Sequence, residues 1–174
     1  TDSAIVTLVL SNVDEAEITG FEADAWWRPL AGLDLRMAVG ILDTELGAFV
    51  TSEGPVAKGN ELPDAPELTF STLARYEFPI AGDMRLSAQV DASYTDQMYK
   101  EAVNRALLRA RDYWLTNARL ALHSADESWE VALWGKNLGD EQVITHAFDN
   151  GIGNGARIYQ APRTWGLTFT YWGR

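Results

Sequence analysis

The chain has 174 residues, 47% hydrophobic, with seven Trp, six Tyr and six Phe, a mean hydropathy of -0.17, no cysteine and a net charge of -11. The charge excludes a nucleic-acid partner, which needs a basic surface to neutralise phosphates, and the missing cysteines exclude disulfide staples and thiolate zinc. No apolar run approaches the ~18 residues of a spanning helix, which leaves open spanning strands, where apolar residues only alternate.

The chain starts Thr1-Asp2-Ser3 and passes into Ala4-Ile5-Val6-Thr7-Leu8-Val9-Leu10. This stretch lacks the basic start and small-residue cleavage site of a leader, and it reads as a strand over about residues 3–10, part of a longer chain. Ser11-Asn12-Val13-Asp14 is a short link. A second strand runs from about Glu15 to Arg28, with Phe21, Ala23, Ala25 and Trp27 on one face and Glu22 and Asp24 on the other. Pro29-Leu30-Ala31-Gly32 is a tight turn, because Pro fixes φ and Gly relieves the sterics. The third strand sets Leu33, Leu35, Met37, Val39 and Ile41 against Asp34 and Arg36.

A long loop over 44–65 follows, then a fourth strand with Leu68, Phe70, Ala74, Tyr76 and Phe78 on one face. A tight turn at 79–83 leads to the clearest strand. From Met84 to Thr95 every even position is apolar and every odd one polar, so one surface is oily and the other wet. A loop over 97–108 precedes a sixth strand with Trp114, Ala118, Leu120 and Leu122. Residues 98–110 also fit a short amphipathic helix, and both readings stay open there. A turn at 124–127, a seventh strand with Trp129, Val131, Leu133 and Gly135, a loop over 145–161 and an eighth strand with Trp165, Leu167, Phe169 and Tyr171 complete the chain.

Tight turns and long loops alternate from the second strand onward, so each kind collects at one end of the sheet. The expected fold is all-β, an antiparallel up-and-down meander of about eight strands, a barrel or a piece of a larger transmembrane one. Trp27, Phe78, Trp129 and Tyr171 lie on the apolar face at the tight-turn end. Tyr94, Trp114 and Trp165 lie near the long-loop end, with aliphatic residues between. Two aromatic rows around an aliphatic band are the signature of interfacial girdles. Arg36, Arg75, Arg85, Asp91 and Arg119 occupy the polar face, as suits a hydrated interior. A complete eight-stranded outer-membrane barrel with a structural or adhesive role, and a soluble lipocalin-like barrel with the apolar face inside, are the alternatives.

Four motifs then fall in order: Ile18-Thr19-Gly20-Phe21-Glu22 opening a strand, Leu62-Pro63-Asp64-Ala65-Pro66-Glu67 entering another, Trp134-Gly135-Lys136-Asn137-Leu138-Gly139-Asp140-Glu141 in the penultimate strand, and Pro162-Arg163-Thr164-Trp165-Gly166 starting the last. Together they resemble the C-terminal barrel of TonB-dependent outer-membrane receptors. The family usually ends on an aromatic residue, whereas here Tyr171-Trp172 is followed by Gly173-Arg174. The resemblance implies a single partial-barrel domain over 1–174, about the last third of a plugged barrel of roughly 22 strands. The plug and the segment that engages the TonB complex would lie outside this chain. It implies energy-coupled uptake of a scarce nutrient such as a siderophore, a Gram-negative outer-membrane location, and lipid, plug and remaining strands as partners.

Loops carry recognition, so Tyr99, Arg105, His146, Asn150 and Arg157 are the candidate ligand contacts. No catalytic constellation, metal site or cofactor is expected. His123 and His146 have no nucleophile beside them and read as surface or girdle residues. The stretch Asp149-Asn150-Gly151-Ile152-Gly153-Asn154-Gly155 lacks the twelfth-position Glu of a calcium loop, having Gln160 there.

Overall fold

The computed structural model describes residues 15–51, 53–149 and 154–173. The strand expected over 3–10 and its link to residue 14 lie outside the described residues. Thirteen strands follow among those described. They are β1 Ala16–Trp27, β2 Leu33–Leu46, β3 Phe49–Thr51, β4 Gly54–Val56, β5 Leu68–Pro79, β6 Arg85–Thr95, β7 Met98–Tyr99, β8 Arg109–Ala110, β9 Tyr113–His123, β10 Trp129–Lys136, β11 Ile144–Asp149, β12 Gly155–Tyr159 and β13 Thr164–Tyr171. Seven form one antiparallel sheet in the order β1-β2-β5-β6-β9-β10-β13. Each long strand neighbours the next in sequence, which is the expected meander. Among the described residues β1 and β13 are edges of this sheet, so it is not closed upon itself.

The register fixes the two ends. Pro79 pairs with Arg85, Arg85 with His123, and His123 with Glu130, so the turns between these strands share one end. Thr69, Thr95 and Tyr113 align at the other. The tight turns are built by local chemistry. Gly32 sits at φ +81, and a Cβ there would lie 2.1 Å from the Glu77 carbonyl oxygen, so only glycine brings this turn against β5. At the 124–128 turn the Asp126 carboxylate accepts from the Ser128 N–H at 3.1 Å and the Ser128 hydroxyl at 2.7 Å. Hydrogen bonds from Ser128 and Ser124 hold the Asp126 carboxyl down to about 2.

Burial is inverted relative to a soluble sheet. On the apolar face Met37 and Ile41 are 52% exposed, Val90 and Leu133 52%, Leu167 72% and Phe169 66%. On the polar face Ser87 is 3% exposed and Ala121 and Ala132 are fully buried. Charges there pair across strands. Arg119 bonds Glu130, Arg75 and Arg85 both meet Glu77 at 3.0 and 3.4 Å, and Asn117 donates to Asp91 at 2.7 Å. A lipocalin-like barrel would bury the oily face, and this sheet buries the other one. His123 lies on this polar face, 3.6 Å from Glu130, and not on a girdle.

The exposed band approaches the ~25 Å height of a barrel's lipid-facing belt. From Leu86 to Tyr94 is about 27 Å along the strand, or about 20 Å of height at a barrel tilt of ~40°. Its long-loop end carries an aromatic row, with Trp114 5.2 Å from Tyr94 and 6.3 Å from Phe70. Above this row the outward positions of β1 and β2 turn polar: Glu17 faces Glu45 and Thr19 faces Asp43. Two tryptophans fill glycine gaps on opposite faces of the β10–β13 pair. Trp165 lies over Gly135, and Trp134 lies over Gly166 with its Nε1 donating to Thr168 at 3.0 Å.

The penultimate motif differs from expectation in one respect. β10 ends at Lys136, and Asn137-Leu138-Gly139-Asp140-Glu141 forms a turn rather than strand. Asn137 and Asp140 adopt φ of +51 and +57, a left-handed conformation that Asn and Asp tolerate and that ends the ladder.

Candidate functional site

The segments read as long loops carry short strands among their described residues. β2 extends to Leu46, and β3–β4 forms a hairpin beyond it. β11–β12 forms another within 145–161. The 97–108 segment resolves the helix-or-loop alternative: β7 pairs with β8, and the only helical turn among its described residues is a 3-10 turn at Ala106–Leu108. Short strands were hidden because two to six residues carry too little alternation to register as a period.

These three connections are tied together. Asn104 accepts from the Glu61 N–H at 2.7 Å and donates to the Glu61 carbonyl at 3.0 Å, and Asn60 donates to the Ala102 carbonyl at 2.9 Å. Lys100 meets Asp64 at 2.5 Å. Leu108, 1% exposed, packs over Gly155, where a Cβ would come within 2.8 Å of it. Arg105 is the common knot. It meets Glu101 of its own segment at 3.3 Å, Asp149 of β11 at 2.7 Å and Glu53 of the β3–β4 hairpin at 3.6 Å. Hydrogen bonding to Glu101, opposed by burial and reinforced by Asp149 and Glu53, holds the guanidinium still further above its ordinary value. Arg105→Ala is expected to lower the opening free energy of all three connections together, by about 1–2 kcal/mol for a partly exposed network. Hydrogen exchange on the full-length protein checks this, with faster exchange at 53–61 and 144–149 as well as 101–108.

The five expected contact residues all belong to this end, where they are described. Tyr99 lies in β7 opposite Arg109, with its carbonyl accepting from Asp64 at 2.9 Å. Arg105 is engaged by three carboxylates. His146 is exposed on β11, its ring 5.8 Å from Phe148. Arg157 of β12 donates to the Leu107 carbonyl at 2.9 Å, so Arg105 and Arg157 bridge the same two connections. Asn150 lies outside the described residues.

Beside Arg157 opens a cavity of about 530 Å³ lined by Arg109, Arg111, Tyr113, Glu141 and Tyr159 among others. By register Tyr113 belongs to the polar face of the sheet, opposite Thr95. Sequence reasoning passed over Arg109, Arg111, Tyr113 and Tyr159. The signal was present as Arg109-x-Arg111-x-Tyr113 and Arg157-x-Tyr159, a spacing of two that puts them on one side of an extended chain. Among the described residues no group of three or more His, Asp or Glu converges to hold a metal.

The family model described as TonB dependent receptor-like, beta-barrel matches residues 1–138. The chain belongs to this family. Three solved receptors share its fold. The ferric yersiniabactin uptake receptor FyuA from Yersinia pestis superposes with a TM-score of 0.77 at 19% identity, covering 88% of this chain and 23% of that one. The siderophore receptor PiuA from Acinetobacter baumannii gives 0.69 at 18% identity, covering 90% and 22%. BauA, the ferric preacinetobactin receptor of Acinetobacter baumannii, gives 0.68 at 19%, covering 90% and 22%. The chain spans less than a quarter of the length of these receptors. As a segment of a TonB-dependent receptor barrel, its sheet is a stretch of wall whose edges β1 and β13 are available to further strands.

The family motifs now acquire a mechanical role. Asn137 is 3% exposed; it donates to the Glu141 carbonyl and accepts from the Glu141 N–H, both at 2.9 Å. Asp140 accepts from the Arg163 N–H at 2.9 Å, and Arg163 donates to the Leu138 carbonyl at 3.2 Å. The third motif thus clasps the fourth and sets where β13 begins.

Proposed function

We propose that this chain is C-terminal barrel wall, 1–174, of a Gram-negative outer-membrane receptor that takes up a scarce nutrient, of siderophore type, with energy relayed by TonB. The observation that carries the reading is the inverted burial of the sheet. An oily band faces out, an ion-paired face lies behind it, and elaborated connections gather at one end. The receptors FyuA, PiuA and BauA, whose names record ferric-siderophore uptake or siderophore binding, support the ligand class.

In this account lipid contacts the band from Phe21 to Phe169, the plug occupies the space beside the polar face, and the TonB complex acts on a segment elsewhere in the receptor. Tyr99, Arg105, His146, Asn150 and Arg157 contribute ligand contacts at the outer end, Arg105 chiefly by holding the loops in one arrangement. The role is binding and translocation rather than catalysis.

The test uses the full-length receptor in cells. Deleting the energy-transducing partner is expected to abolish accumulation of a ferric chelate while surface binding persists. Accumulation that continues undiminished would contradict energy-coupled uptake.

A further inference from the structure

The oily band of the sheet is not smooth. Val90, Ala118, Gly135 and Trp165 fall in one cross-strand row, and Ala88, Leu120, Leu133 and Leu167 fall in the next. A recess of about 260 Å³ opens along these rows. Ala88, Ala118 and Gly135 give it a floor of small residues, and Val90, Leu120, Leu133 and Trp165 stand exposed around it. Gly135 is what admits the Trp165 ring. A Cβ there would come within 2.5 Å of that ring and within 2.8 Å of Leu138, which borders the same spot. Trp165 belongs to the aromatic row near the long-loop end, so the recess runs down the band from that row.

The chemistry of the lining restricts what fills it. Gln89, Arg119 and Trp134 also border the recess, but their polar groups turn to the other face of the wall, where they bond Asp91, Glu130 and Thr168. Apart from the Trp165 indole N–H, no side chain on the oily face offers a hydrogen bond there. A buried water needs about two to four partners, so water does not settle in it. Left empty, the floor would lack dispersion contacts on one side. The recess is continuous with the band that meets hydrocarbon, so hydrocarbon is the occupant at hand. Lipid tails are as apolar as these side chains, and close packing is what distinguishes a held chain from a passing one. A trough of Ala and Gly between Val, Leu and Trp supplies that packing.

We infer that this recess is a lipid site: it holds one acyl chain of a membrane lipid against the wall, in place of the rapidly exchanging boundary lipid that covers the rest of the band. The inference rests on the outward facing of the band proposed above and goes beyond it, since a lipid-facing wall need not retain any one chain. The chain lies along Ala118 and Gly135, with the Trp165 ring as one bank and Leu120 and Leu133 as the other.

The experiment uses the purified, delipidated full-length receptor in a bile-salt detergent, whose rigid rings do not mimic an acyl chain. The probe is phosphatidylglycerol brominated on one acyl chain, which quenches tryptophan on contact. The difference between wild type and Trp165→Phe gives the Trp165 share of the fluorescence. That share is expected to fall along a saturable curve ending near one lipid per receptor, while the remaining tryptophans are quenched only in proportion to total lipid. Ala118→Leu fills the floor and is expected to weaken the saturable step by roughly tenfold or more, because dispersion contact with the floor is what holds the chain. Ala74→Leu, on the same face two strands away, should leave it unchanged. Quenching of Trp165 that only tracks total lipid, or a saturable step that survives Ala118→Leu, would overturn the inference. The wild-type curve needs no groove variant, so a misfolded mutant does not rescue the idea. Proportional quenching overturns the recess alone and leaves the facing of the band standing. No quenching of Trp165 at any lipid content sinks both.

Discussion

Val90→Arg is expected to cost the full-length barrel about 2–4 kcal/mol of stability in a bilayer, the penalty for a cation on a barrel's lipid face at mid-depth. Val90 sits midway along β6, 52% exposed, between Ala74 and Ala118 on the neighbouring strands. Nothing near it on that face offers a counter-charge, and its distance from both aromatic rows leaves a long side chain little room to reach water. Leu133→Arg repeats the experiment on β10. The control is Ser93→Arg, on the same strand but the opposite face, between Ser71 and Leu115. It should stay within about 0.5–1 kcal/mol of wild type, as surface changes do. Gln89 is a poorer control, because Arg75 and Arg119 flank it and a third cation would add like-charge repulsion. Urea titration of the receptor folded into liposomes reads all three.

The second large effect is at Asn137. Asn137→Ala is expected to destabilise the receptor by about 3 kcal/mol, since stranding buried partners costs ~1–3 kcal/mol and placing alanine in a left-handed conformation costs about 1 kcal/mol more. The amide alone satisfies both the N–H and the carbonyl of Glu141, and the Asn137 N–H donates to Asn117 at 2.9 Å, which in turn donates to Asp91. Three strands therefore share one polar chain that ends at this turn. Asn137→Gly separates the two contributions, because glycine accepts the backbone conformation and loses only the side-chain bonds. It should cost about 1 kcal/mol less than alanine. Equal losses for the two variants would show that the backbone conformation contributes nothing. Thermal unfolding of the purified full-length receptor, followed by its loss of compact gel mobility, checks both.

What the sequence showed and what it concealed follow from length and period. Strands such as Arg85–Thr95 were legible because eleven residues alternate without a break, and the same alternation assigned Arg75, Arg85, Asp91 and Arg119 to one face. The tight turns were legible because Pro29, Gly32 and Gly82 stand where turn sterics require them. The hairpin Phe49–Thr51/Gly54–Val56 was not, since three residues a side make no period. Asn137 to Glu141 reads as strand in the sequence because the order Asn-Leu-Gly-Asp does not by itself require positive φ at both Asn137 and Asp140; the side-chain bonds that hold this turn reach Asn117, Ala161 and Arg163, far along the chain. The candidate site was half legible. Arg105 and Arg157 stand out in the sequence for lying in loops, but beyond the i,i+4 pair of Arg105 with Glu101 their partners, such as Asp149 at 44 positions from Arg105, lie far along the chain. That distinction exists only in three dimensions.

The facing of the sheet underlies every part of this account, and a nitroxide scan tests it most directly. Each position of β6, Arg85–Thr95, is labelled singly in the full-length receptor reconstituted in lipid, and its collisions with oxygen and with a water-soluble nickel complex are measured. Even positions should favour oxygen, most strongly at Val90, and odd positions should not, giving a period of two. A scan with the opposite phase, or with no alternation along the strand, would contradict the account.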